Sequence, residues 1–136
     1  MKTTYKIIAL LLLTTFVSSC KEEDEGKLPD ITFKTGGSYV STSKTVAQGA
    51  EVVIGIEAQK TEEEDVLTKF NVSRSIDGGT ASTVVTENLS GSDADKFNYD
   101  FTTVMDSVSG QKNEYTFTVT NRDGLINQVR LTLTVE

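Results

Sequence analysis

The feature that most constrains this chain is the alternation of apolar and polar residues that begins after Pro29. In a strand, successive side chains point to opposite faces, so this alternation is typical of β-strands that bury one face. The clearest example is a run with four apolar residues on one face: Val52, Ile54, Ile56 and Ala58. The same period predicts four further inward-facing sets: Phe70, Val72 and Ile76; Phe97, Tyr99 and Phe101; Tyr115, Phe117 and Val119; and Val129, Leu131, Leu133 and Val135.

Short turn sequences separate these runs: Gly36-Gly37, Gln48-Gly49, Asp77-Gly78-Gly79, Ser90-Gly91-Ser92 and Ser109-Gly110. Short strands with turn residues between them are typical of a β-sandwich or barrel. Past residue 20 no stretch has the 3.6-residue period of an amphipathic helix, and the glutamate-rich segment 59–68 lacks an apolar stripe on which a helix could pack. We therefore expect an all-β fold, an antiparallel β-sandwich of about seven strands, with a loop at 59–68.

The last two runs predict one specific hairpin. If odd-numbered residues point inward in both strands, the numbers of directly paired residues must have an even sum, because a slip of one residue turns every side chain to the other face. The three-residue loop Arg122-Asp123-Gly124 meets this condition by pairing Asn121 with Leu125. Such a loop ends in a left-handed residue, a conformation that glycine adopts without steric cost.

The first 20 residues predict a secretion signal and a membrane anchor. Two lysines precede an apolar run at 7–13, and small residues lead to Cys20, the only cysteine. The run is shorter than the roughly 20 residues of a transmembrane helix, and the pattern is typical of a cleaved signal. The segment Val17-Ser18-Ser19-Cys20 resembles a bacterial lipobox, whose cysteine becomes the lipid-modified amino terminus. An ordinary signal peptide with a chance cysteine is the alternative.

A charged run follows the cysteine: Lys21, Glu22, Glu23, Asp24 and Glu25. It resembles the export signal that sends lipoproteins of some Gram-negative phyla to the outer face of the outer membrane. The alternative is a solvated tether, because like charges repel one another and keep a segment extended. We therefore expect a signal peptide at 1–19, a lipidated cysteine and acidic tether at 20–28, and a β-domain at 29–136. The resemblance implies a lipoprotein of the Gram-negative outer membrane that faces outward.

Residues 115–124 and 128–135 resemble the closing F and G strands of immunoglobulin-like sandwiches of the PKD-like kind. Tyr115 lies where such folds often have a tyrosine at the edge of the core. The aromatic-Gly-Asp motif of PKD domains is replaced here by Asn98-Tyr99-Asp100-Phe101. The resemblance implies an immunoglobulin-like architecture, and the chain is similar to small envelope lipoproteins of unassigned role.

Composition excludes several classes of function. The formal net charge of −7 disfavours nucleic acid as a partner, because phosphate binding draws on clustered Lys and Arg. The chain has no histidine, which removes the commonest general base and zinc ligand. We therefore predict a protein that is not an enzyme and uses no cofactor.

Several acidic residues are candidate sites. Asp93, Asp95 and Asp123 are weak calcium candidates, since calcium prefers carboxylate and carbonyl oxygens, but their spacing matches no complete calcium loop and such residues are common in turns. We expect no metal. The run at 62–65 is interpreted as an exposed, solvated loop rather than a catalytic carboxylate pair.

Two further residues are candidates for modification or binding. Ser107, in Asp106-Ser107-Val108, resembles an acceptor of bacterial O-glycosylation. Tyr39 either contacts a ligand or packs on its own sheet.

Two functions fit these predictions. The first is a non-enzymatic module that is held on the membrane by its lipid and binds a glycan or an envelope protein through its far loops. The alternative is a structural spacer or assembly subunit that pairs through an exposed strand edge.

Overall fold

The computed structural model describes residues 26–136. The predicted signal peptide, Cys20 and the export run of Lys21, Glu22, Glu23, Asp24 and Glu25 therefore lie outside the described residues. The strands are β1 (Asp30–Phe33), β2 (Lys44–Val46), β3 (Glu51–Gln59), β4 (Leu67–Ile76), β5 (Ser82–Asn88), β6 (Lys96–Val104), β7 (Lys112–Asn121) and β8 (Ile126–Val135). One turn of 3₁₀ helix, Gly91–Ala94, precedes β6. Within 26–136, no helix has the length and hydrophobicity to cross a membrane.

The strands form two sheets, with orders β1-β3-β6 and β2-β8-β7-β4-β5. This confirms the predicted all-β sandwich, and the arrangement fits a generic immunoglobulin-like domain. The structure has eight strands because the first segment, residues 30–46, is divided between the two sheets. β1 pairs with β3, and after a crossing at 34–43, β2 pairs in parallel with β8.

The core lies between the sheets and uses the faces that the alternation predicts. In β3, β4 and β7 the predicted inward residues are at most 4% exposed, apart from Ile76. The ring of Phe70 reaches across the sandwich to Phe97 and Tyr99, with ring centres 5.2 Å apart in both pairs. The prediction for Ile76 is wrong: this residue is 45% exposed, because the inward face of β4 already becomes polar at Arg74.

The predicted hairpin between β7 and β8 is confirmed. Thr120 pairs with Ile126, and the backbone N–H of Asn121 donates to the carbonyl of Leu125 at 3.0 Å. Gly124 has a φ of +80°, the left-handed conformation that the loop requires. The predicted loop at 59–68 is confirmed over residues 60–66, while Gln59 ends β3 and Leu67 and Thr68 begin β4.

Candidate functional site

The strand directions give the sandwich two ends. The chain reaches β1 from Gly26 at the end that also holds the connections 60–66, 89–95 and 122–125, which we call the proximal end. The connections 47–50, 77–81 and 105–111 lie at the opposite, distal end. Because β4 and β7 have 10 residues each, strand geometry separates the two ends by about 30 Å.

A cleft of about 420 Å³ opens at the proximal end, beside Gly26. Arg122 and five acidic residues line this acidic cleft: Glu62, Glu63, Glu64, Asp65 and Asp123. The prediction of an exposed run at 62–65 is wrong for Asp65, whose side chain is only 7% exposed. Its backbone N–H donates to the carbonyl of Glu62 at 3.3 Å, and the resulting turn brings the Asp65 carboxylate against Gly26.

Asp65 is a buried carboxylate with little compensation. Within residues 26–136, its Oδ2 has no hydrogen-bond partner. Its Oδ1 lies 3.7 Å from Nη2 of Arg122, whose Nε lies 3.6 Å from Oδ1 of Asp123. Both contacts are longer than a hydrogen bond. Burying a charge without hydrogen bonds is costly, so a cation or a hydrogen-bond donor beside this oxygen would stabilise the ionised carboxylate.

The two carboxylates of the cleft converge beside Gly26. Oδ2 of Asp65 and Oδ2 of Asp123 lie 2.9 Å and 3.0 Å from the point that a Cβ on Gly26 would occupy. Both oxygens therefore face the same small volume. A side chain at position 26 would crowd both oxygens, and the φ of +62° also favours glycine there.

Backbone hydrogen bonds hold the walls of the cleft. The N–H of Arg122 donates to the carbonyl of Val66 at 2.8 Å, which ties the hairpin turn to the loop 60–66. Asn121 is buried, and its amide donates to the carbonyl of Lys27 at 3.2 Å while its Oδ1 accepts from the N–H of Leu125 at 2.8 Å. Asn121 therefore joins the first described residues to the sandwich.

The three weak metal candidates lie in different surroundings. Only Asp123 lines the cleft. Asp93 is exposed in the 3₁₀ helix, and Asp95 forms an ion pair with Lys60 at 2.8 Å, a hydrogen bond that raises the pKa of Lys60 above its ordinary value of 10.5. Over the described part of the chain, no three histidine, cysteine or carboxylate side chains group closely enough to hold a metal.

A buried polar network, missed from the sequence, lies at the distal end. Asn113 is fully buried, and its Oδ1 accepts from Nε of Arg74 at 3.1 Å and from Nε2 of Gln111 at 2.9 Å. Arg74 and Gln111 also donate to the carboxylate of Asp106. The available signal was polar residues at inward positions, since Arg74 and Asn113 continue the inward parity of β4 and β7. The neighbouring Ser107 is exposed in the connection 105–111.

Tyr39 packs on the outer face of the three-stranded sheet. Its hydroxyl donates to Oδ2 of Asp100 at 3.0 Å, while Nζ of Lys34 lies 2.7 Å from Oδ1 of Asp100 and 5.5 Å from the centre of the Tyr39 ring. The hydrogen bond from Lys34 lowers the pKa of Asp100 below 3.8, and the same bond raises the pKa of Lys34 above 10.5. This finding supports the interpretation of Tyr39 as a residue packed on its own sheet.

No protein family model matches this chain. No curated protein matches it either. Among solved structures, it is similar to the crystal structure of Spo0M, a sporulation control protein from Bacillus subtilis, with 11% sequence identity and a TM-score of 0.48. The match covers 80% of this chain and 49% of that chain, so this chain spans about half the length of Spo0M.

Proposed function

We propose that this chain is a lipid-anchored, non-enzymatic binding module on the outer face of a Gram-negative outer membrane, where its distal loops bind a glycan or an envelope protein. The observation that carries the proposal is that the amino-terminal segment enters the sandwich at the proximal end, opposite the distal loops. Cys20 precedes Gly26 by six residues, and six residues of extended chain span about 20 Å. A lipid on Cys20 would therefore turn the proximal end toward the membrane and the distal loops away from it.

The character of the distal end supports a binding role. Three exposed apolar residues lie at this end: Ile76, Val104 and Val108. The network of Arg74 and Asn113 fixes Asp106, at the base of the connection 105–111. A loop held in this way loses less entropy when it binds, so less of the contact energy is spent on ordering it.

Two sequence features support the non-enzymatic and PKD-like parts of the proposal. The chain has no histidine that could activate a serine or cysteine nucleophile, and its only cysteine is the proposed lipid site. The β7–β8 hairpin carries the residues on which the resemblance to PKD-like domains rests, and its Tyr115 is buried at 1% exposure.

The anchor is tested with Cys20→Ala in cells that express the full chain. We expect the native chain in the membrane fraction and accessible to protease on intact cells, and the variant released from the membrane. An unchanged membrane fraction for Cys20→Ala would contradict the lipid anchor. Protection of the native chain from protease would contradict outward display.

The binding surface is tested with two matched substitutions on the purified full chain. Val108→Asp places a charge on the distal end, and Ile126→Asp places one on the proximal end. The two residues are similarly exposed, Val108 at 59% and Ile126 at 51%. On a panel of envelope polysaccharides, we expect binding that Val108→Asp abolishes and Ile126→Asp leaves intact. Equal loss in both variants would refute a distal site.

A free strand edge supports the spacer as a second candidate. Within the described residues, β5 pairs only with β4, and six of its seven residues are exposed. An unpaired edge of this kind can accept a strand from another chain, and a lysine on it discourages such pairing. We expect Val84→Lys to prevent co-purification of a membrane partner if the spacer is correct. Val104→Lys, on the free edge β6, serves as the matched control.

A further inference from the structure

We propose that the acidic cleft is a Ca²⁺ site, in which the carboxylates of Asp65 and Asp123 share one ion beside Gly26. This goes beyond the proposed function, since the site belongs to the proximal end and does not depend on the distal ligand or on the lipid. Three features favour an ion here: one buried oxygen, the convergence of two carboxylates and the charge around them.

The buried oxygen is Oδ2 of Asp65. It belongs to a side chain that is 7% exposed, and it has no hydrogen-bond partner among residues 26–136. A carboxylate buried in this way is stable as an anion only if a positive group or donors compensate it. Arg122 lies 3.7 Å from Oδ1 and is half exposed, so it compensates the carboxylate weakly and donates no hydrogen bond to Oδ2.

The second carboxylate lies within reach of the same ion. Since both Oδ2 atoms lie about 3 Å from the Cβ position of Gly26, they are at most about 6 Å apart, and two ligands of one Ca²⁺ lie up to about 5 Å apart. The side chain of Asp123 is 37% exposed, so it can close the remaining distance by a small rotation.

The charge around the cleft favours a divalent cation. Glu62 pairs with Lys27 at 2.9 Å, and Glu63 pairs with Lys60 at 3.4 Å. Two of the remaining lining acids, Asp65 and Asp123, share Arg122 through contacts of 3.7 Å and 3.6 Å, and Glu64 adds a further negative charge to the lining.

Ca²⁺ suits this site better than Mg²⁺. It accepts irregular sets of six to eight oxygens that include waters and carbonyls, whereas Mg²⁺ demands near-octahedral geometry. Two carboxylates, with no third grouped beside them in the described residues, predict weak binding. We expect a dissociation constant on the order of 10⁻⁴–10⁻³ M, as in extracellular modules.

Such an ion would fix Gly26, and with it the point where the amino-terminal segment joins the sandwich. Binding to the folded state alone raises stability by mass action. At ten times the dissociation constant, the unfolding midpoint should rise by about 5 °C.

The test is a thermal unfolding series of the purified full chain in detergent, with EDTA or with CaCl₂, at constant ionic strength. We expect the midpoint to rise with Ca²⁺ for the native chain and for Asp93→Asn, an exposed acid outside the cleft. We expect Asp65→Asn and Asp123→Asn to lose the rise. The proposal would be overturned if Ca²⁺ does not change the unfolding midpoint of the native chain, or if both cleft variants keep the rise in midpoint.

Asp65→Asn provides a second measurement that separates the ion from a simple ion pair. In EDTA, removing an uncompensated buried charge should leave the midpoint unchanged or raise it. If Asp65→Asn instead lowers the midpoint in EDTA by as much as Arg122→Gln does, the carboxylate is already satisfied by the arginine and the proposal is wrong. Calorimetric titration with Ca²⁺ alone gives the dissociation constant and the loss of binding in each variant.

Discussion

The ring of Tyr39 lies directly over Gly55, so that a Cβ at position 55 would come within 2.8 Å of Cε1 of Tyr39 and 2.7 Å of Cδ of Lys34. Gly55 is buried in β3 and pairs with Asp100 of β6. The absence of a side chain at 55 therefore allows Lys34, Tyr39 and Asp100 to meet on the outer face of the sheet.

Gly55→Ala should destabilise the fold because the new methyl group displaces both side chains that cover it. We expect a loss of about 1–3 kcal/mol in the free energy of unfolding, the usual cost of overpacking, as measured by urea denaturation. In a Tyr39→Ala background the same change should cost less, since the ring no longer occupies the space. An equal cost in both backgrounds would show that Tyr39 is not the obstacle.

Asp100→Asn should change how stability depends on pH. The hydrogen bond from Lys34 holds the folded pKa of Asp100 below its ordinary value of 3.8. The ionised form therefore stabilises the fold above the unfolded pKa, and this contribution is lost as the pH falls through the folded pKa. Since the Asp100 side chain is 49% exposed, we expect a difference of under about 1 kcal/mol between native chain and variant.

Urea midpoints measured between about pH 2 and pH 7 check this prediction. The difference should be constant near neutral pH and vanish at the acid end. Glu87→Gln, on the exposed strand β5, is the control and should show no such change. A difference that persists at the lowest pH would contradict the ion pair as its cause.

Asn113→Ala should be costly because it removes the acceptor shared by Arg74 and Gln111. Arg74 and Gln111 are half-buried and keep the carboxylate of Asp106 as an acceptor, so the variant removes only part of their hydrogen bonding. We expect a loss of about 1–3 kcal/mol in the free energy of unfolding, the usual cost of leaving a polar group without its partner. Urea unfolding at neutral pH measures the loss. Asn98→Ala changes an exposed residue of β6 and should fall within about 0.5 kcal/mol of the native chain. A similar value for both variants would mean that the network adds no stability.

Gly124→Ala tests the hairpin turn by itself. Apart from its chain neighbours, no atom of residues 26–136 lies within 4 Å of the new Cβ, so the cost comes from the φ of +80°. We expect a loss of about 1–2 kcal/mol. Gly124→Asn should be milder, because asparagine tolerates the left-handed conformation. Equal thermal midpoints for alanine and glycine would refute the turn assignment.

Ser107 is the candidate acceptor for an O-glycan at the distal end. If it is modified in the native host, the intact mass of the purified chain exceeds that of the lipidated polypeptide, and Ser107→Ala removes the excess. Ser109→Ala, in the same connection, is the matched control and should keep it. If the mass of the native chain equals that of the lipidated polypeptide, Ser107 carries no glycan and the prediction is wrong.

Alternation predicted the strands that bury one full face. For β3 and β7, the inward residues follow from parity alone, and the even-sum rule also gave the register of the last hairpin. Strands β1, β2 and β5 gave no such signal. β1 and β2 have four and three residues, too few for a period, and β5 is exposed on both faces.

The proximal cleft could not be predicted from the sequence because Asp65 is buried by residues that are far from it along the chain. Asp65 belongs to an acidic run, and such runs are usually solvated. Its carboxylate is covered by Gly26 and by the hairpin turn, which are distant along the chain. Asp123 was weighed as a metal candidate, yet its spacing to Asp93 and Asp95 gave no hint that Asp65 was its neighbour.

The division of the first segment between two sheets governs how this domain carries mechanical load. β1 runs from the proximal end antiparallel to β3, and β2 runs parallel to β8. A pull along the strand axes through the amino terminus therefore stretches the hydrogen bonds of each ladder together, in shear, rather than opening them one after another. With the proposed lipid anchor at one end and a partner at the other, a domain built in this way would resist being unfolded by a force between the two.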